Sequence, residues 1–311
     1  MITIMIMITI TNCFVPAAAP PRLKPFRDQR NLAFRENIPY SGPCMYLKHF
    51  NLDEMPFNIT PDPRFLYYAP HHQEAYDHLM YGITQRKGFI ELTGEVGSGK
   101  TTLCRALLAS LDSEVKTALI LNPTFSDTEL LRAMLNDFGL SPAYGDRLSY
   151  VECLNTFLLD NYRQGMNVAL LIDEAQDLAP AVMEQIRLLS NLETDQHKLI
   201  QIVLCGQPEL KKRLNQPDLR QLRQRITVRY YLPPLTATET EEYIVHRLRV
   251  AGPQSRITFS TFAVKAVHRY AKGCPRLINA VCDNALLAAY VYGESDVSVH
   301  CVKKAIRQLE G

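Results

Sequence analysis

At 311 residues, 47% hydrophobic and 21% charged, the chain has the make-up of one globular unit or two modest domains. A formal net charge of +2 removes charge alone as a reason to bind nucleic acid. Eight cysteines are scattered without metal-ligand spacing, which argues against a zinc site and fits free thiols in a reducing, cytosolic compartment.

The opening run MITIMIMITI is apolar but well short of the roughly 20 residues that span a bilayer. No Lys or Arg precedes Arg22, so it also makes a poor signal peptide. Residues 16–43 are proline-rich without periodicity and read as disordered, and residues 1–44 together are expected to be an extension before a true start at Met45. No later stretch is apolar for long enough to cross a membrane, so any membrane link is expected to run through a partner.

The most informative segment is FIELTGEVGSGKT, residues 89–101. An apolar strand breaks into Gly94, Glu95, Val96, Gly97, Ser98, Gly99, Lys100, Thr101 and Thr102, and a helix follows in TLCRALLASL. Glycines at this spacing let backbone N–H groups curl around phosphate oxygens, and the start of the helix adds its positive dipole end. Lys100 is expected to reach the β- and γ-phosphates, and Thr101 to offer a hydroxyl to Mg²⁺.

Downstream, residues 115–121 read as a second strand, and 128–138 and 150–162 as helices. The apolar run 168–172 then ends in Asp173 and Glu174, the pattern of a buried parallel strand with carboxylates at its C-terminal edge. Alone, such a pair serves a helix cap as readily as a metal site. With Lys100 upstream, Asp173 is expected to hold Mg²⁺ through water and Glu174 to orient or deprotonate the attacking water.

Pro180 opens a helix with Val182, Ile186 and Leu189 on one face. Strands at 199–205 and 226–232 follow, the first ending in Gly206, Gln207 and Pro208. Alternating strands and helices predict an open parallel five-stranded sheet with helices on both faces. After Pro233 and Pro234 only helices are expected, capped by Thr236 with Glu239, by Ser260 and by Ser298, with one opened by Pro275. The predicted domains are therefore an α/β nucleotide-binding unit, 45–234, and a small all-α lid, 235–311.

A P-loop α/β sheet followed by a helical lid resembles the AAA+ ATPases. Residues 45–310 more narrowly resemble the ExeA/general secretion pathway protein A family, particularly its MSHA-type pilus-biogenesis ATPases. The resemblance is carried by MYLKHFNLDEMPFNITPDPRFLYYAPHHQEA, GFIELTGEVGSGKTTLCRALL, LLIDEAQDL, NLETDQHKLIQIVLCGQPELKKRL, DLRQLRQRITVRYYLPPLT and GCPRLINAVCDNALLAAY.

It implies ATP and Mg²⁺ as cofactors, hydrolysis to ADP and phosphate, and a homo-oligomeric ring or filament. It further implies secretion or pilus assembly proteins as partners, and a cytoplasmic location with peripheral attachment at the inner membrane through a partner. Gln207 then corresponds to the polar sensor of the γ-phosphate. Arg225 in LRQRI corresponds to a finger lent to the neighbouring subunit, with Arg220 and Arg223 as competitors, and Arg276 in GCPRLIN to the second sensor on the lid. His71, Pro56 and Phe57 correspond to the segment that packs on adenine.

Longer relatives carry a membrane helix and a peptidoglycan-binding domain after the lid, so cell-wall binding is not carried over to this chain. The basic stretch from Lys211 to Arg229 supports a second reading, a DNA-binding transposition-regulator ATPase, since transposon ATPases share this branch of the fold. A small-molecule kinase would explain neither the finger nor the lid.

Overall fold

The computed structural model describes residues 45–311 apart from 112, 113, 122, 195 and 196. The predicted extension, residues 1–44, lies outside the described residues. Chain order begins with α1 (Met45–Phe50), α2 (Pro70–Thr84), β1 (Phe89–Gly94), α3 (Lys100–Ser110) and β2 (Val115–Ile120). It continues through α4 (Asp127–Asp137), α5 (Arg147–Arg163), β3 (Asn167–Ile172), α6 (Pro180–Leu189), β4 (Gln201–Gly206), α7 (Pro208–Leu214), α8 (Arg220–Arg225) and β5 (Ile226–Leu232). Four helices close it: α9 (Ala237–Ala251), α10 (Thr261–Ala271), α11 (Pro275–Tyr292) and α12 (Val299–Glu310).

The strands form one sheet in the order β2-β3-β4-β1-β5, with every pairing parallel. Successive strand residues face opposite sides, so a strand buried on both faces has no polar alternation. In β3, Val168, Leu170 and Ile172 join the core under α4, α5 and α6, whereas Ala169 and Leu171 join the core under α2 and α3. Each such Leu, Ile or Val contributes about 1.5–3 kcal/mol by leaving water. The ends of β1, β3 and β4 consequently lie side by side at one edge of the sheet, with Thr93 registered against Gly206 and Ile172 against Leu204.

The C-terminal helices are delimited by the anticipated caps. Thr236 and Glu239 form a reciprocal capping box, and Ser260 and Ser298 accept from Ala263 N–H and Cys301 N–H. Their core includes Ile244, Val267, Ile278, Leu286 and Val302, and it also takes in Tyr46, Leu47, Phe50, Leu52, Phe57 and Phe65. The start of the described chain thus packs with the helical bundle rather than with the sheet. Buried Arg247 pins it there, donating from Nε to the Pro56 carbonyl at 2.5 Å and from Nη2 to that of Asn58 at 3.1 Å, with its guanidinium 4.7 Å from the Phe65 ring centroid. Among the described residues no helix is long and apolar enough to cross a membrane.

Candidate functional site

The loop from Gly94 to Lys100 turns on two glycines in the left-handed region, Gly97 at φ 75° and Gly99 at φ 100°. Lys100 is buried, and its Nζ donates to the carbonyls of Gly94 at 2.8 Å and Glu95 at 3.0 Å, which holds the ammonium at the mouth of the loop. Glu95 and Val96 are exposed at the tip, Ser98 is buried beneath it, and Thr102 lines the adjoining cleft. The α11 start lies directly on this loop: Arg276 N–H donates to the Gly97 carbonyl at 3.2 Å, and Cys274 Sγ to that of Val96 at 3.3 Å. A Cβ on Gly97 would stand 2.5 Å from Arg276 Cβ, so close docking requires glycine here. The Arg276 side chain is exposed, lines the same cleft, and makes no ion pair among the described residues.

Across the cleft, Thr101 Oγ1 donates to Asp173 Oδ2, while Asp173 Oδ1 accepts the Glu174 N–H at 3.0 Å. Burial pushes the Asp173 carboxyl above its ordinary range, opposed by those two hydrogen bonds. A buried carboxylate touching a threonine hydroxyl is a hard-oxygen pair suited to a magnesium ion, so these residues fit that cofactor. Glu174 follows in the left-handed region at φ 50°, ψ 39°, and lines the cleft. Gln207, at the end of β4, donates from Nε2 to Glu174 Oε2 at 3.1 Å. Lys100, Thr101, Asp173, Glu174 and Gln207 are therefore gathered at one sheet edge.

Two expectations need adjustment. His71 is exposed and lies against Glu74 and Tyr230, whereas His72 lines the cleft, with Nε2 3.1 Å from the Ser98 carbonyl. Phe57 is buried against Phe259 in the bundle core, and Pro56 serves Arg247, so the cleft is walled instead by residues 58–62. Neighbouring helical positions point about 100° apart, which is why only one of two adjacent histidines can face the loop.

Burial holds the His72 imidazole below its ordinary range, so the folded chain resists a proton that the unfolded chain accepts near pH 6.5. More protons on the unfolded state make stability rise with pH, so this contribution is complete above about pH 6.5 and is lost as pH falls below it. Melting midpoints measured from pH 7.5 to 5.5 are expected to drop less steeply for His72→Gln than for the wild type. Equal slopes would remove His72 as the source.

Arg225 is not part of this cleft. It precedes β5, whose Ile226 registers with Phe89 at the start of β1, and it donates to Ser190 Oγ at 2.5 Å. Arg223 donates to Asn215 Oδ1 at 3.1 Å, while Arg220 is exposed. The residue that inspection of the sequence passed over is Gln176, in LLIDEAQDL, which donates to Glu174 and accepts from Gln207 N–H. Its position three residues after Asp173 was the available signal.

A family model described as an AAA domain matches residues 83–214. General secretion pathway protein A of Aeromonas hydrophila is 45% identical over 269 residues, which are 86% of this chain and 49% of that protein. The chain thus spans about half the length of this curated relative. The Aeropyrum pernix ORC2 protein, in ADPNP-ADP complexes, superposes with a TM-score of 0.63 at 16% identity over 82% of this chain and 72% of that one. Cdc6p from Pyrobaculum aerophilum superposes with a TM-score of 0.63 at 16% identity, covering 83% and 71%. At such identities these structures speak for the fold alone. The chain is a P-loop protein of AAA type, and over its AAA module it belongs with general secretion pathway protein A.

Proposed function

We propose that this protein binds and hydrolyses ATP at sites shared between subunits, and that it acts as an assembly or remodelling ATPase of a secretion or type IV pilus system, of the MSHA kind. The observation that carries the chemistry is the convergence of Lys100, Thr101, Asp173, Glu174 and Gln207 at one sheet edge, with Arg276 of α11 on the same loop. The likeness to general secretion pathway protein A supports the secretion setting.

Lys100 exchanges its two carbonyl partners for phosphate oxygens, a gain because a charge-assisted bond to an anion is roughly twice as strong as one to a neutral acceptor. Thr101 and Asp173 would hold Mg²⁺, which would supply neutralisation of charge on the phosphate oxygens. Glu174 takes the proton of the attacking water and Gln207 orients that water or the γ-phosphate. Because Cys274 and Arg276 touch the phosphate loop, a change there is transmitted to the helices of residues 235–311, the lid. In this reading the protein is cytoplasmic, and it meets the inner membrane through a partner.

Total ATPase activity measured against protein concentration tests the shared site. A superlinear rise is the expected result, and activity strictly proportional to concentration down to the monomer would contradict it.

Exposed Lys211, Lys212 and Arg220 favour a second reading in which DNA regulates the ATPase. Filter binding of duplex DNA across a salt series decides that point. Phosphate contacts make affinity fall steeply with salt, and no binding at low salt dismisses the reading.

A further inference from the structure

Glu174 lies two residues past the end of β3 and leads into a one-turn helix, Ala175–Asp177, a setting in which a carboxylate would ordinarily swing freely. Here it does not. Its Oε2 accepts two amide donors, Gln176 Nε2 at 2.7 Å and Gln207 Nε2 at 3.1 Å. Gln176 also accepts the backbone N–H of Gln207 on its own Oε1 at 3.0 Å, so one side chain ties the end of β3 to the end of β4. Room for this tie depends on Gly206, where a Cβ would stand 2.8 Å from Gln176 Oε1. The Gln176 carbonyl is fixed in turn by Arg213 Nη1 of α7 at 2.7 Å. Gln176 lies behind Glu174, which lines the nucleotide cleft while Gln176 does not.

We propose that Gln176 is a positioning residue for hydrolysis: by fixing Oε2 of Glu174 it leaves Oε1 to face the attacking water, and by holding Gln207 N–H it sets the sensor in the same frame. This rests on the ATPase reading above. A base must present a lone pair along one direction, and a carboxylate free to rotate spends most of its time elsewhere. The two glutamine amides anchor one oxygen and leave the other for chemistry. Arg213 is the outward anchor of the same frame, linking it to the basic helix α7.

The test is steady-state ATPase kinetics on the full chain with Mg²⁺, alongside binding of a fluorescent ATP analogue. Gln176→Ala is expected to lower kcat by about 10- to 100-fold, the usual cost of removing an orienting partner, with KM and analogue affinity unchanged within about twofold. Because Gln176 acts through Glu174, adding Gln176→Ala to Glu174→Gln is expected to slow the enzyme no further. Gln176→Glu keeps an acceptor for Gln207 N–H but loses the donor to Glu174, and is expected to be as slow as Gln176→Ala.

Should Gln176→Ala not fold, Arg213→Met carries the test from outside the site, with a kcat loss of about 3- to 10-fold at unchanged KM. Wild-type kcat in Gln176→Ala, a loss confined to KM, or a loss that adds to that of Glu174→Gln would each overturn the proposal. An inactive wild type, or a Glu174→Gln variant at full speed, would instead overturn the ATPase reading on which it stands.

Discussion

Arg225→Ala is expected to bind MgATP as the wild type does and to hydrolyse it about 10³- to 10⁵-fold more slowly, the range seen where arginine fingers have been dissected. The reason is topological. Arg225 stands beside the first residue of β1, whereas the phosphate loop follows the last, Gly94. Five strand steps at about 3.3 Å each put roughly 16 Å between them, beyond the reach of one side chain within a protomer. Under the proposed function, Arg225 would therefore serve a neighbour's nucleotide rather than its own. In that role its bond to Ser190 would have to break, at a cost of about 1 kcal/mol, which a charge-assisted bond to phosphate would offset. Arginine suits the task because its guanidinium stays charged and presents a planar fork of donors. Single-turnover rates for Arg220→Ala, Arg223→Ala and Arg225→Ala, each with its nucleotide affinity, decide among the three. A large loss in Arg220→Ala or Arg223→Ala with Arg225→Ala unaffected moves the finger, and no loss in any of them removes it.

Glu174→Gln carries the second large expectation, a fall of about 10²- to 10⁴-fold in turnover with nucleotide binding retained. Glutamine keeps the shape and can still accept the amide of Gln207 on its oxygen, so the frame around residue 174 survives. What is lost is the capacity to take a proton. ATP then persists at the site, and the variant is expected to elute from a sizing column as a larger species in MgATP than in MgADP. Rapid turnover by this variant would assign the base elsewhere, and identical elution in the two nucleotides would break the link between hydrolysis and assembly.

Local motifs make the phosphate loop, the Asp173 strand and several helix starts legible in the sequence alone. FIELTGEVGSGKT constrains its own backbone, since left-handed glycines and a following helix leave one arrangement for the loop. The run ending in Asp173 had to be a strand buried on both faces, and the cap residues at 236, 260 and 298 mark helix starts by their chemistry. Other features depend on residues far apart in sequence. Gln176 meets Gln207 only because β3 pairs with β4. Nothing in the spacing of Tyr46, Phe50, Phe57 and Phe65 says that they bury against helices some 200 residues later, as they do. Helices α7 and α8 escaped notice because two turns of Lys- and Arg-rich sequence carry too few apolar positions to show a period.

Complementation between two dead variants tests the central claim most directly. Lys100→Ala lacks a working pocket but keeps Arg225, and Arg225→Ala lacks the finger but keeps the pocket. Mixed in equal amounts, they are expected to regain about a quarter of wild-type ATPase activity, the share of head-to-tail boundaries that join an intact pocket to an intact arginine under random assembly. A mixture as inactive as either variant alone, under conditions where wild-type chains assemble, would contradict a site built from two subunits.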